Sequence, residues 1–124
     1  MPRALILFAH GARDPGWAEP FERLVARVRA IAPGHEVRLA FFELMHPDLG
    51  AAVAELAAGG ATAISVVPIF LGPGGHIRHD LPPLIEELRA RHRGVQIDQS
   101  APAGEGSGVL DAIAAYCAAQ ITSR

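Results

Sequence analysis

The run Leu5-Ile6-Leu7-Phe8-Ala9, ending at His10 and Gly11, constrains the fold more than any other stretch. Unbroken apolar sequence of this length fits a strand buried on both faces, the condition of a parallel sheet covered by helices. Gly11 permits a sharp exit from the strand. Asp14 before Pro15 reads as an N-cap followed by proline at the first helical position. A strand that ends at a histidine and runs into a helix puts that histidine at the carboxyl edge of the sheet, where open α/β sheets bind ligands.

The rest of the chain repeats the pattern. Residues 16–31 carry Phe21, Leu24, Val25, Val28 and Ile31 at three- and four-residue spacing, which predicts an amphipathic helix ended by Pro33-Gly34. A second strand is predicted over 36–42, and a helix over 47–58 with Leu49, Val53 and Leu56 as its stripe and Gly59-Gly60 as its stop. Residues 61–69, rich in β-branched side chains, form a third strand. A third helix is expected from Asp80 or Leu81 to Arg91, with Pro82 and Pro83 in its first turn. A short strand over 95–97, a loop over 104–108 and a closing helix over 109–121 complete the chain. This alternation implies an α/β fold: one domain over 1–124, a three-layer sandwich with a four-stranded parallel sheet and right-handed crossovers.

Composition narrows the function classes. A net charge of -2 and a pI near 6.3 argue against nucleic-acid binding by bulk charge. All 11 basic residues are Arg, so lysine Schiff-base chemistry and a P-loop are excluded. Cys117 is the single cysteine, so neither an intrachain disulfide nor a cysteine zinc cluster can form; within Ala-Ile-Ala-Ala-Tyr-Cys-Ala-Ala it reads as a small buried residue. No apolar run is long enough to span a membrane, and the N-terminal run is too short for a signal peptide, so a cytoplasmic location is expected.

His10, Glu43 and His76 each follow the apolar run of one of the first three strands, at two equal intervals of 33 residues. If those strands are neighbours, all three residues share the carboxyl edge. Each alone has an ordinary alternative: a histidine satisfied by backbone, or Glu43 capping the next helix. Together they suit a first-row divalent metal with a coordination position left open. Arg13 and Arg78 flank the two histidines and could hold a carboxylate or phosphate, or simply be solvated. Gly74 and Gly75, in the segment from Gly72 to His76, allow close backbone approach of a substrate. His46 and His79 fall nearer the candidate site than His35 and His92, and are read as supporting the site or the fold.

Three motifs carry a resemblance. Leu-Ile-Leu-Phe-Ala-His-Gly-Ala-Arg-Asp-Pro, Phe-Phe-Glu-Leu-Met-His-Pro and Gly-Gly-His-Ile-Arg-His-Asp-Leu-Pro together resemble the class II tetrapyrrole chelatases. The subgroup they are most similar to is the short-form CbiX-type sirohydrochlorin cobaltochelatases. Ala12 departs from the family's frequent serine, and Met45-His46 occupies a variable position. The resemblance implies a chelatase-like fold, with His10, Glu43 and His76 as metal ligands and catalytic groups. It implies insertion of Co2+ into sirohydrochlorin, with Fe2+ or Ni2+ as alternatives, no organic cofactor, and a homodimer. A metal carrier without turnover and a regulatory α/β module are the competing classes. A histidine phosphatase is disfavoured because Ala9 stands where that chemistry wants arginine.

Overall fold

The computed structural model describes residues 3–72 and 74–122. Four strands, β1 (Arg3–Ala9), β2 (Glu36–Phe41), β3 (Ala63–Pro68) and β4 (Gln96–Gln99), form one sheet in the order β2-β1-β3-β4, with every pairing parallel. The helices are α1 (Glu19–Ile31), α2 (Leu49–Ala58), α3 (Gly75–Arg91) and α4 (Ser107–Thr122). The strands that precede His10, Glu43 and His76 are therefore neighbours, with β1 in the centre.

Alternation along β1 divides the core. Ala4, Ile6 and Phe8 join Ile64 and Val66 of β3 and Ile97 of β4 beneath α2 and α3. Leu7 faces the other way and packs with Val25 of α1 and Val37 of β2. Helices cover both faces, which gives the expected three layers. Phe8, at the middle of the sheet, is fully buried between the edges of Phe42 and Phe70. Arg38 on the edge strand β2 bonds Glu55 of α2 at 2.6 Å and Glu36 at 2.7 Å. These two carboxylates, Glu55 foremost, raise its pKa above the ordinary value.

Three local expectations change. Asp14 caps not α1 but a 3-10 turn, Pro15–Ala18, by accepting from the Gly16 amide at 2.9 Å; α1 begins four residues later, with Pro20 in its first turn. The second helix begins at Leu49, capped by Asp48 through the Ala51 amide at 2.8 Å. The third helix starts at Gly75, so Pro82 and Pro83 lie in its interior. They cannot donate to the Arg78 and His79 carbonyls, but both of those residues are exposed and water can serve in their place. The buried stripe Ile77, Leu81, Ile85 and Leu88 holds the helix on the sheet in spite of the pair.

The fourth strand lies two residues further on than expected at its C-terminal end, and the expected loop over 104–108 holds a 3-10 turn, Ala103–Glu105, and the start of α4. None of α4's residues is buried, and Cys117, expected to be buried, is exposed. The reason is that α4 packs on the 3-10 turn before it and lies off the sheet.

Candidate metal site

The site begins with backbone. Parallel pairing between β1 and β2 continues past both strand ends: the Phe42 amide donates to the Ala9 carbonyl at 2.9 Å, and the Glu43 amide donates to the His10 carbonyl at 3.1 Å. This extended ladder sets Glu43 beside His10. Gly11 then turns away with φ +100, and a Cβ there would overlap the Glu43 carbonyl oxygen. Only glycine satisfies both demands. On the other side Leu44 takes φ 66, and the Met45 amide closes a turn onto the Glu43 carbonyl at 2.8 Å.

The two side chains meet. His10 Nε2 lies 2.9 Å from Glu43 Oε2. Both remain about half exposed, at 47% and 49%, so they are open to a ligand while held in register. The imidazole stands edge-on to Phe42, with ring centres 5.8 Å apart. Nε2–H donates to the carboxylate, and Nδ1 is the ring nitrogen not engaged in this contact. Two cis ligands of an octahedral dication, each about 2.1 Å from it, stand about 3.0 Å apart. The observed separation of 2.9 Å is close to this value.

His76 is the second residue of α3 and lies in the helix's first turn, not in a loop before it. Its side chain lies outside the described residues. Among the described residues, no cluster of three His, Cys, Asp or Glu side chains forms a metal site, so the structure displays the His10–Glu43 pair alone. Gly74 and Gly75 do adjoin His10: together with Phe70, Gly72 and Ile77 these residues line an open cavity of about 290 Å3. Arg13 lines a different cavity, with Leu44, Met45 and His46 on the α1 side, and Arg78 is exposed on α3 and lines neither. His46 accordingly sits apart from the His10 cavity, and His79 is exposed on α3.

Sequence reasoning missed the apolar surround. Phe70 lines the His10 cavity from the end of β3 and Ile77 from α3, while Phe42, just past the end of β2, meets the imidazole edge-on and lines a neighbouring cavity. The doubled Phe41-Phe42 and the Ile69-Phe70-Leu71 run held that signal, because an apolar residue just past a strand end needs a covering partner. The 3-10 turn at Ala103–Glu105 was also missed; the Gly104 amide donates to the Phe70 carbonyl at 2.8 Å and ties this turn to the same edge.

A histidine–carboxylate pair at the carboxyl edge of a parallel α/β sheet, its histidine lining a largely apolar cavity, is a donor set that suits a divalent metal. The chain belongs to the CbiX family, whose model matches residues 4–119. A sirohydrochlorin cobaltochelatase from Methanopyrus kandleri is 33% identical over 82 residues, 66% of this chain and 57% of that one. A sirohydrochlorin ferrochelatase from Bacillus subtilis is 26% identical over 113 residues, 91% of this chain but 43% of that one. The chain thus spans about half the length of the curated relatives it matches. A crystal structure of a CbiX protein from Marinobacter aquaeolei VT8, for which a role in cobalamin biosynthesis is suggested, superposes with a TM-score of 0.85 at 33% identity and covers 99% of this chain and 100% of that one.

Proposed function

We propose that this chain inserts a divalent metal, Co2+ foremost, into sirohydrochlorin, with residues 1–124 acting as one chelatase unit. The observation that carries the reading is the His10–Glu43 pair, 2.9 Å apart at the edge of a CbiX-family sheet. Relatives bearing the names cobaltochelatase and ferrochelatase support a tetrapyrrole substrate and leave Fe2+ as the second metal, with Ni2+ third. The metal is a substrate of the reaction, and the chemistry asks for no organic cofactor.

Insertion requires the macrocycle to lose two pyrrole protons as it gains the dication. His10 binds the incoming metal through Nε2, its own proton then residing on Nδ1, while Glu43 supplies a carboxylate oxygen. As the metal passes to the pyrrole nitrogens, Nε2 is freed to take one proton, and the imidazolium so formed pairs with Glu43. Glu43 takes the second, and both protons leave to solvent. His76, carried on the first turn of α3, is the third ligand in this reading. Gly74 and Gly75 let the macrocycle approach the backbone, with Phe70 and Ile77 beneath it. Arg13 and Arg78 serve substrate carboxylates further out.

The chain works in this reading as a homodimer in the cytoplasm; no helix among the described residues is long and apolar enough to cross a membrane. Anaerobic incubation with sirohydrochlorin and Co2+, Fe2+ or Ni2+ in parallel, followed by absorbance, tests it. Turnover fastest with Co2+ and lost in His10→Ala is the expected result. Metal binding without turnover on any of the three would make the chain a carrier instead.

A further inference from the structure

The imidazole of His10 has one polar neighbour, Glu43, and one aromatic neighbour, Phe42. Strand register accounts for the second. β1 pairs with β2 as far as Ala9 and Phe41, and the Phe42 amide carries the ladder on to the Ala9 carbonyl at 2.9 Å. His10 and Phe42 are therefore cross-strand neighbours on one face of the sheet, where facing side chains meet. Their rings stand at 89° with centres 5.8 Å apart. Phe8, two residues before His10, points to the same face. Its ring meets Phe42 at 87° and 6.3 Å, and Phe70 at 77° and 6.4 Å. Phe8 is fully buried, and His10 is 47% exposed. The row Phe70, Phe8, Phe42, His10 thus has its foot in the core and its tip at the site.

We infer that Phe42 is a positioning residue for the proposed metal site: it sets the plane of the His10 imidazole, and with it the direction in which the ring meets a metal. The inference rests on the reading of His10 as a ligand and names what aims it. Histidine's second side-chain torsion is broad, so rotamer preference alone leaves the ring plane loose. A metal bound by imidazole lies in that plane, along a nitrogen lone pair, which is why ligating histidines are held by a further contact. The hydrogen bond to Glu43 places Nε2 but leaves the ring free to turn about the line from Nε2 to Oε2. Glu43 is itself 49% exposed. An edge-to-face contact restrains that turn, because tilting the ring gives up the favourable geometry. It also makes no demand on either ring nitrogen, so it persists when Nε2 exchanges a proton for a metal. Phe42 is held in turn by the core cluster beneath α2 and α3. It faces the neighbouring cavity with Leu49, Leu84 and Leu88 and takes no part in lining the His10 cavity. Its effect on a metal therefore runs through His10, and a ligand in the cavity does not touch it.

Phe42→Leu and Phe42→Met keep an apolar side chain without a ring, and Phe42→Tyr keeps the ring. Calorimetric titration with Co2+ is expected to show affinity weakened about fivefold in the Leu and Met variants and restored in Phe42→Tyr. In anaerobic turnover the KM for Co2+ should rise by the same factor, while the KM for sirohydrochlorin stays at the native value. A residue that only fills the core would lower the unfolding midpoint and move neither. Two-bond 1H–15N spectra of the metal-free chain at about pH 8, above the ordinary imidazole range, read the ring without metal. His10 should carry its proton on Nε2 alone in the native chain and Phe42→Tyr, and on either nitrogen in Phe42→Leu. Native Co2+ affinity with a single tautomer in the Leu and Met variants overturns the positioning role and leaves the metal site standing. An equal loss in Phe42→Tyr and Phe42→Leu overturns it too. The expected tautomers in a native chain that binds no Co2+ overturn the metal reading and leave Phe42 as the group that holds the ring.

Discussion

The edge that bears His10 and the stretch that ends in α4 are built on opposite terms. At the first, backbone hydrogen bonds run past the strand ends, from Phe42 to Ala9 and from Glu43 to His10, so a pair of half-exposed polar side chains is held by a rigid frame. At the second, a regular helix of apolar composition buries none of its residues. The first region has its order supplied from within the chain and its chemistry facing out. The second has apolar surface facing out and must take its cover from elsewhere. Exposure therefore means different things in the two places: access to a polar pair in one, an unmet contact in the other.

The largest effect should come from the core that fixes the frame. Leu81→Ala, in the fully buried stripe of α3, should cost about 3–5 kcal/mol in urea unfolding, the same at every protein concentration. Ile113→Ala, on exposed α4, provides the contrast: its cost should grow with protein concentration, as for a side chain covered by a second copy in the proposed homodimer. Equal concentration dependence for the two would break the distinction between the regions. Next comes Gly11→Ala, which forces a side chain into φ +100 and onto the Glu43 carbonyl. It should cost about 1–3 kcal/mol and also displace Glu43, so that Co2+ affinity falls with stability. Unaltered affinity would mean that the ladder does not place the carboxylate. The smallest effect is expected at Leu44, which is 58% exposed and holds φ 66. Leu44→Gly should relieve that conformation and raise stability by about 0.5–1 kcal/mol, read from the shift in the unfolding midpoint.

Much of the frame could be read from the sequence because it rests on local patterns. The apolar run before His10 marks a strand covered on both faces, and the β-branched stretch around Val66 marks its neighbour. The equal spacing of His10, Glu43 and His76 expressed the strand-plus-crossover repeat that makes β1, β2 and β3 adjacent. The pairing of His10 with Glu43 follows from that adjacency. What the sequence concealed depends on contacts between distant segments. Pro82-Pro83 mimics a helix start, and only the packing of Ile77 and Leu81 on the sheet reveals that the helix is already under way. Arg13 is close to His10 in sequence, yet Gly11 turns the chain so that it lines another cavity. Cys117 sits in a run that looks like core, and nothing local could show that its helix lies off the sheet.

The central claim is that His10 and Glu43 act together as a seat for a divalent metal. Anaerobic calorimetric titration of the native chain, His10→Ala and Glu43→Gln with Co2+ tests it most directly. Both side chains are half exposed, so each variant should unfold within about 0.5 kcal/mol of the native chain, and any change reports the site itself. The account expects one site per chain, weakened at least about tenfold by each substitution. Co2+ binding of native strength in both variants would contradict it.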